Sequence, residues 1–175
     1  IESQLEKASC LNILLSSQNL LLRIDMSVYG LWNNKGGVGK SYLTFQIAAE
    51  YAVQNPDKSV VVIDLCPQAN SSMMLLGGVV DGYNNLENLQ QKTISGYIQE
   101  RIVSPYIDPK KGYLYLTKVH DFNNKVEENL YLIAGDNTLE LQADRIISAT
   151  RSGLDDAWQK VHLWIADLIN SVKEN

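Results

Sequence analysis

Apolar residues in this chain fall in short runs separated by polar, glycine- or proline-bearing turns, and the runs differ in period. Residues 28–32, Val-Tyr-Gly-Leu-Trp, form a short apolar stretch that ends in Asn33-Asn34 and glycines, which predicts a strand. A helix is predicted from about residue 39 to 54, with Leu43, Ile47, Ala48 and Tyr51 inward at helical spacing. Asn55-Pro56-Asp57-Lys58 closes it, because proline bars helix continuation and Asn and Asp favour turns. Residues 60–64 are then almost continuously β-branched, the pattern of a parallel strand buried on both faces. Strand, helix and strand read as a right-handed βαβ unit.

The middle of the chain is less regular. A helix is predicted around residues 94–103, a turn between Pro105 and Pro109, and a short strand over residues 112–116. Residues 130–135 make another buried-strand candidate. Leu154, Ala157, Trp158, Val161, Ile165, Leu168 and Val172 mark one face of a closing helix, with Trp158 and Trp164 expected in or against the core. No internal repeat or low-complexity tract interrupts this order, and the expectation is one α/β domain over residues 26–175.

Residues 1–25 read differently. Their leucines and isoleucines are interrupted by Ser16-Ser17-Gln18-Asn19, and Glu2 and Glu6 stand where a signal peptide needs basic residues. An N-terminal extension or an added prefix is the expectation, with Met26 as the natural start. At 175 residues the chain is large enough for a real core, and 45% hydrophobic against 20% charged residues excludes low-complexity disorder. The net charge of −5 removes a basic nucleic-acid footprint from the chain as a whole. Cys10 and Cys66 are too few for a disulfide framework and point to a reducing cytoplasm. No apolar run approaches the roughly 20 residues that span a bilayer.

One stretch carries most of the chemistry. Lys35-Gly36-Gly37-Val38-Gly39-Lys40-Ser41 lies between the first predicted strand and the first predicted helix. Glycines there let backbone N–H groups approach phosphate oxygens, and the following helix points its positive end at the same place. Lys40 is placed to reach the β- and γ-phosphates, and the Ser41 hydroxyl to bind Mg²⁺. The usual G-x-x-x-x-G-K-[ST] pattern fails at its first glycine, which is Asn34 here, and gains a lysine at position 35. The plain alternative is a glycine-rich turn with two solvated lysines.

That lysine-bearing loop closely resembles the deviant Walker A motif of the ParA/MinD family of P-loop ATPases. Residues 62–70, Val-Ile-Asp-Leu-Cys-Pro-Gln-Ala-Asn, resemble the family's D-x-D-P-Q-x-N segment, and Pro67, Gln68 and Asn70 favour the ParA/Soj branch. Residues 130–141 resemble the next strand and its polar turn. The resemblance implies a three-layer α/β P-loop NTPase fold with a mostly parallel sheet flanked by helices. It implies ATP and Mg²⁺ as cofactors, with the loop residues Lys35, Gly36, Gly37, Val38, Gly39, Lys40, Ser41 and Tyr42 holding the nucleotide. Lys40 would bind its own subunit's phosphates, and Lys35 would reach the partner's nucleotide in a homodimer closed by ATP. Asp64 would hold Mg²⁺ through water; its alternative role is a strand-end residue capping a helix. The implied setting is a bacterial cytoplasm and nucleoid, with a ParB-like activator, nonspecific DNA and no membrane as partners.

Two departures bear on activity. The family's second aspartate, which positions the attacking water, is Cys66 here, and a mostly neutral thiol replaces a carboxylate poorly. Hydrolysis is therefore expected to be slow, unless another group orients the water. The family's Walker B strand and DNA-contacting region would lie beyond Asn175, so the resemblance covers an N-terminal part of such a domain. Three functions compete: a ParA-type dimerisation switch for plasmid or chromosome partition, a nucleotide-sensing module with little hydrolysis, and a MinD-like positioning ATPase. Asp155, Asp156, Asp167 and Glu174 on the closing helix are wrong for anionic lipid and count against the last. His120 and His162 lack a second ligand at metal spacing, Cys66 lacks a visible base, and Lys110-Lys111 near Tyr113 and Tyr115 reads as a solvated turn before a DNA patch.

Overall fold

The computed structural model describes residues 26–33, 35–104, 109–151 and 156–173. Helix α1 spans Lys40–Gln54, strand β1 Val60–Ile63, and helices α2 Asn70–Leu75, α3 Asp81–Asn88 and α4 Ile94–Val103 follow. A 3₁₀ segment at Pro109–Tyr115 leads into the two-residue strand β2, Thr117–Lys118, and a second 3₁₀ turn at Val119–Asp121. Strand β3 is Leu130–Ile133, and helices α5, Leu139–Arg151, and α6, Ala157–Lys173, complete the order.

Among the described residues the sheet has three strands in the order β1-β3-β2. β3 runs parallel to β1, with Val60 opposite Leu130 and Ile63 opposite Ile133, and antiparallel to β2. The sheet is small and mixed, with its longer pairing parallel, and three described strands do not establish the mostly parallel arrangement expected from the sequence. The α/β character is as expected. β3 is central and its Leu130, Leu132 and Ile133 are fully buried. Alternation along the strands divides the core in two. Val62, Leu130 and Leu132 pack with Ala48, Ala52, Leu75 and Leu76 of α1 and the α2 segment. Ile133 faces the other way, onto Ile94, Tyr97, Ile98 and Leu168 of α4 and α6. Helices therefore cover both faces of the central strand.

Polar contacts fix how these elements meet. The Asn129 side-chain amide donates to the carbonyls of Ala52 (3.1 Å), Asn55 (3.0 Å) and Lys58 (2.8 Å), tying the end of α1 and its turn to the start of β3. Thr93 caps α4 by accepting from Gly96 N–H at 3.2 Å, which explains why that helix begins where the sequence predicts. Arg101 of α4 is buried between the Tyr97 and Trp164 rings and pairs with Asp167 of α6. Burial pushes the Tyr97 hydroxyl up to about 12, and it donates to the Trp164 carbonyl.

Three sequence expectations are corrected. Residues 28–32 form no strand, and Val28, Tyr29, Leu31 and Trp32 are exposed. No described strand pairs with them, and an apolar run without a ladder partner does not hold an extended form. The parallel pair is accordingly β1–β3 rather than a βαβ unit across α1. In α1, Leu43, Ile47 and Tyr51 point outward, whereas Ala48 and Ala52 are buried with Phe45 packed against the core. The helix is apolar on two stripes, and the one bearing the small alanines lies on the sheet. Residues 112–116 belong mainly to the 3₁₀ segment, because Gly112 is pressed against α6: a Cβ there would come within 2.7 Å of Leu168 Cδ1. Trp164 packs against the second core as expected, while the side chains of Leu154 and Trp158, the turn residues 105–108, and residues 1–25 lie outside the described residues.

Candidate functional site

The glycine-rich loop precedes α1 directly, and its geometry follows from its glycines. Gly37 and Gly39 sit at φ of +72° and +84°, left-handed values that strain any residue with a Cβ. A Cβ at either would meet no atom within 4 Å, so backbone conformation and not crowding sets the need for glycine. Gly39 is the N-cap of α1 and provides no side-chain acceptor. The N–H groups of Lys40, Ser41 and Tyr42 are therefore the uncapped donors of a helix with no acidic residue in its first turn. A phosphate completes such an end.

Both lysines belong to this loop. Lys40 Nζ folds back to donate to the Lys35 carbonyl at 3.1 Å, which holds the ammonium over the loop. Lys35 N–H is fixed by Asn33 Oδ1 at 2.8 Å, and the Lys35 side chain is exposed. Thr44 Oγ1 donates to the Lys40 carbonyl at 3.0 Å, reinforcing the first turn of α1. Gly36, Val38 and Tyr42 are exposed and Ser41 is half-buried, so the loop presents its backbone to solvent. Two cations, free N–H groups and a hydroxyl fit a nucleotide's phosphates with Mg²⁺ at Ser41.

Asp64 lies at the end of β1 and is only 6% exposed. Its Oδ2 accepts from Ser72 N–H at 3.0 Å and from Ser72 Oγ at 2.8 Å, and its Oδ1 accepts from Cys66 N–H at 3.2 Å. Ser72 is the third residue of α2, whose N-cap, Ala69, contributes no side-chain bond. Asp64 therefore performs the helix-capping role that sequence reasoning held as the alternative to metal binding. Asp64 N–H in turn donates to the Ile133 carbonyl at 3.0 Å, so β3 holds its backbone. Cys66 is a half-buried free thiol whose carbonyl accepts from Ala69 N–H at 3.0 Å in a tight turn, with Ala69 left-handed at φ +50°.

The structure thus gathers the sequence candidates into two groups, the loop with α1 and the Asp64–Cys66 turn with α2. α1 packs directly on α2 and β1. No hydrogen bond or ion pair among the described residues joins the two groups directly. His120 is tied to the Val126 carbonyl at 2.7 Å and His162 is exposed, and no cluster of three or more His, Cys, Asp or Glu converges among the described residues.

Two features escaped sequence reasoning. One is Gly135, where a Cβ would come within 2.6 Å of the Cys66 carbonyl and 2.8 Å of the Asp64 carbonyl, so β3 closes directly against the Asp64 turn. The other is a cleft of about 630 Å³ at the carboxyl ends of β1 and β3, lined by Gln68, Gln90, Ser95, Asp136, Thr138 and Arg145 among others. Burial raises the Asp136 carboxyl, but hydrogen bonds from Ser95, Thr138 and Thr93 outweigh it and hold the group below its ordinary range. An Asp two residues before a Thr was a readable turn signal, and Thr138 N–H does donate to Asp136 Oδ1 at 2.7 Å. Ser72 and Gly135 carried no such mark, because their partners are distant in sequence or set by close packing.

Comparison with known proteins adds one match. A family model described as an AAA domain matches residues 26–151. No curated protein matches the chain, and no solved structure does. No helix among the described residues is long and apolar enough to cross a membrane. The match covers well over half of the chain and includes the loop, α1, the Asp64 turn and β3, so this chain belongs to the AAA domain family of P-loop nucleotide-binding ATPases.

Proposed function

We propose that the protein is an ATP-dependent dimerisation switch of the ParA/Soj type, acting with slow hydrolysis in plasmid or chromosome partition. The observation that carries this reading is the second lysine of the loop. Lys35 is exposed beside an uncapped helix N-terminus, while Lys40 is already folded over the same loop. One subunit's phosphates need Lys40 and the backbone donors, which leaves Lys35 to bind a nucleotide held by a second copy. Bound Mg²⁺ would neutralise phosphate charge between the Ser41 hydroxyl and the Asp64 carboxylate, the latter acting through water.

In this mechanism the loop N–H groups and Lys40 bind and orient the phosphates, and Lys35 closes the dimer. Cys66 stands where a water-orienting carboxylate is expected, so turnover is slow and suits a timer. A ParB-like activator, nonspecific DNA bound by the dimer, and a bacterial cytoplasmic setting without a membrane partner belong to the same proposal. A nucleotide-sensing module that rarely cleaves ATP is the second reading, and Cys66 is the observation that favours it. Sedimentation velocity with a nonhydrolysable ATP analogue tests the switch: Lys35→Ala should keep nucleotide binding and lose the dimer. A Lys35→Ala variant that dimerises like the parent refutes it.

A further inference from the structure

We propose that Ser72 is the positioning residue that aims the Asp64 carboxylate at the nucleotide-bound metal; this rests on the reading that Asp64 holds Mg²⁺ through water. An ionised carboxylate offers about four acceptor positions. Three are filled here: Ser72 N–H and Ser72 Oγ take both positions on Oδ2, and Cys66 N–H takes one on Oδ1. One position remains, on Oδ1. A buried carboxylate with a single open acceptor site accepts a hydrogen from a metal-bound water without losing a partner, whereas direct ligation would displace a donor it already has.

Ser72 does more than occupy Oδ2. Its hydroxyl donates to Asp64 and accepts from Gly135 N–H at 3.0 Å, so β1, α2 and β3 meet at one fully buried oxygen atom. Gly135 lies against the same carboxylate, since a Cβ there would approach Asp64 Cγ to 3.3 Å. The bonds from Ser72 and Cys66 together hold the plane of the carboxylate, and with it the open position on Oδ1. Without the hydroxyl, Oδ2 keeps one donor, Gly135 N–H loses its acceptor, and the carboxylate is free to turn.

The test is titration of the intact protein with a fluorescent ATP analogue, in Mg²⁺ and again in EDTA. The parent should bind more tightly with Mg²⁺. Ser72→Ala should lose about tenfold of that Mg²⁺-dependent gain while its affinity in EDTA stays at the parent's, and Ser72→Thr, which keeps a hydroxyl, should restore the gain. Ser72→Cys replaces the hydroxyl with a larger sulfur that is a weak donor and should lose the gain as Ala does, so a folded Cys variant stands in for an Ala variant that fails to fold. A residue with only a structural role would lower stability without touching the Mg²⁺ dependence. If Ser72→Ala or Ser72→Cys keeps the parent's full gain, the positioning role is overturned. If the parent itself shows no response to Mg²⁺, the metal reading of Asp64 fails and the proposal fails with it.

Discussion

Replacing Asp64 separates a carboxylate that builds the fold from one retained only for a ligand. Asp64→Ala deletes the acceptor of three hydrogen bonds at a site 6% exposed. Of the three donors, the Ser72 hydroxyl can turn and keeps its bond from Gly135, and the Cys66 N–H lies in a half-buried turn open to water. The Ser72 N–H is fully buried and is left unpaired, at a cost of about 1–3 kcal/mol. That bond is itself the cap of α2, so the expected total is about 2 kcal/mol, or roughly 4–8 °C in Tm for a chain of this size. Asp64→Asn keeps one oxygen for both Ser72 bonds but turns an N–H₂ toward Cys66 N–H, so it should cost about half as much. Urea denaturation followed by circular dichroism, without nucleotide or Mg²⁺, measures both, with unchanged m-values as the two-state check. The order parent, Asn, Ala is the predicted one. A carboxylate kept solely for a metal would be a strained, unpaired group whose removal stabilises the apo protein. An Asp64→Ala variant within about 0.5 kcal/mol of the parent, or above it, refutes the capping argument.

Three further outcomes follow from the same contacts. Gly135→Ala forces a methyl onto backbone atoms 2.6–2.8 Å away and should destabilise the protein by about 1–3 kcal/mol, measured by the same denaturation. The Asp136 carboxyl titrates below its unfolded value, so its contribution is present above the ordinary carboxylate range and lost as the pH falls through the depressed folded value; Asp136→Asn should flatten the acid limb of a Tm-against-pH curve there. Cys66→Asp should raise single-turnover ATP hydrolysis by about tenfold, equivalent to roughly 1.4 kcal/mol of barrier, and an unchanged rate with intact binding would assign the water to another group.

Local signals carried much of the architecture. The β-branched run gave β1, Thr93 set the start of α4, and Pro56 ended α1 near its predicted limit. The glycine-rich loop was legible because its conformation depends on its own residues, as the positive φ angles of Gly37 and Gly39 show. What sequence reading missed depends on partners remote in the chain. Residues 28–32 look like a strand by composition, yet a strand exists only beside another, and none of those described pairs with them. α1 offers two apolar stripes, and periodicity alone does not tell which one β1 and β3 will cover. The short strand expected over residues 112–116 yields to the contact of Gly112 with α6. Nothing local marks Ser72 until Asp64 and Gly135 are brought to it.

The proposed function requires that the loop before α1 bind the phosphates of a nucleotide. Isothermal titration of Mg²⁺ and ATP into the parent and Lys40→Ala proteins tests it most directly. Lys40 Nζ is held over the loop by the Lys35 carbonyl at 3.1 Å, so its loss removes the loop's positioned side-chain cation and leaves the backbone donors in place. The parent should show saturable binding and the variant none measurable, with the circular dichroism spectrum of a folded protein in both. Equal affinity in the two proteins would contradict it.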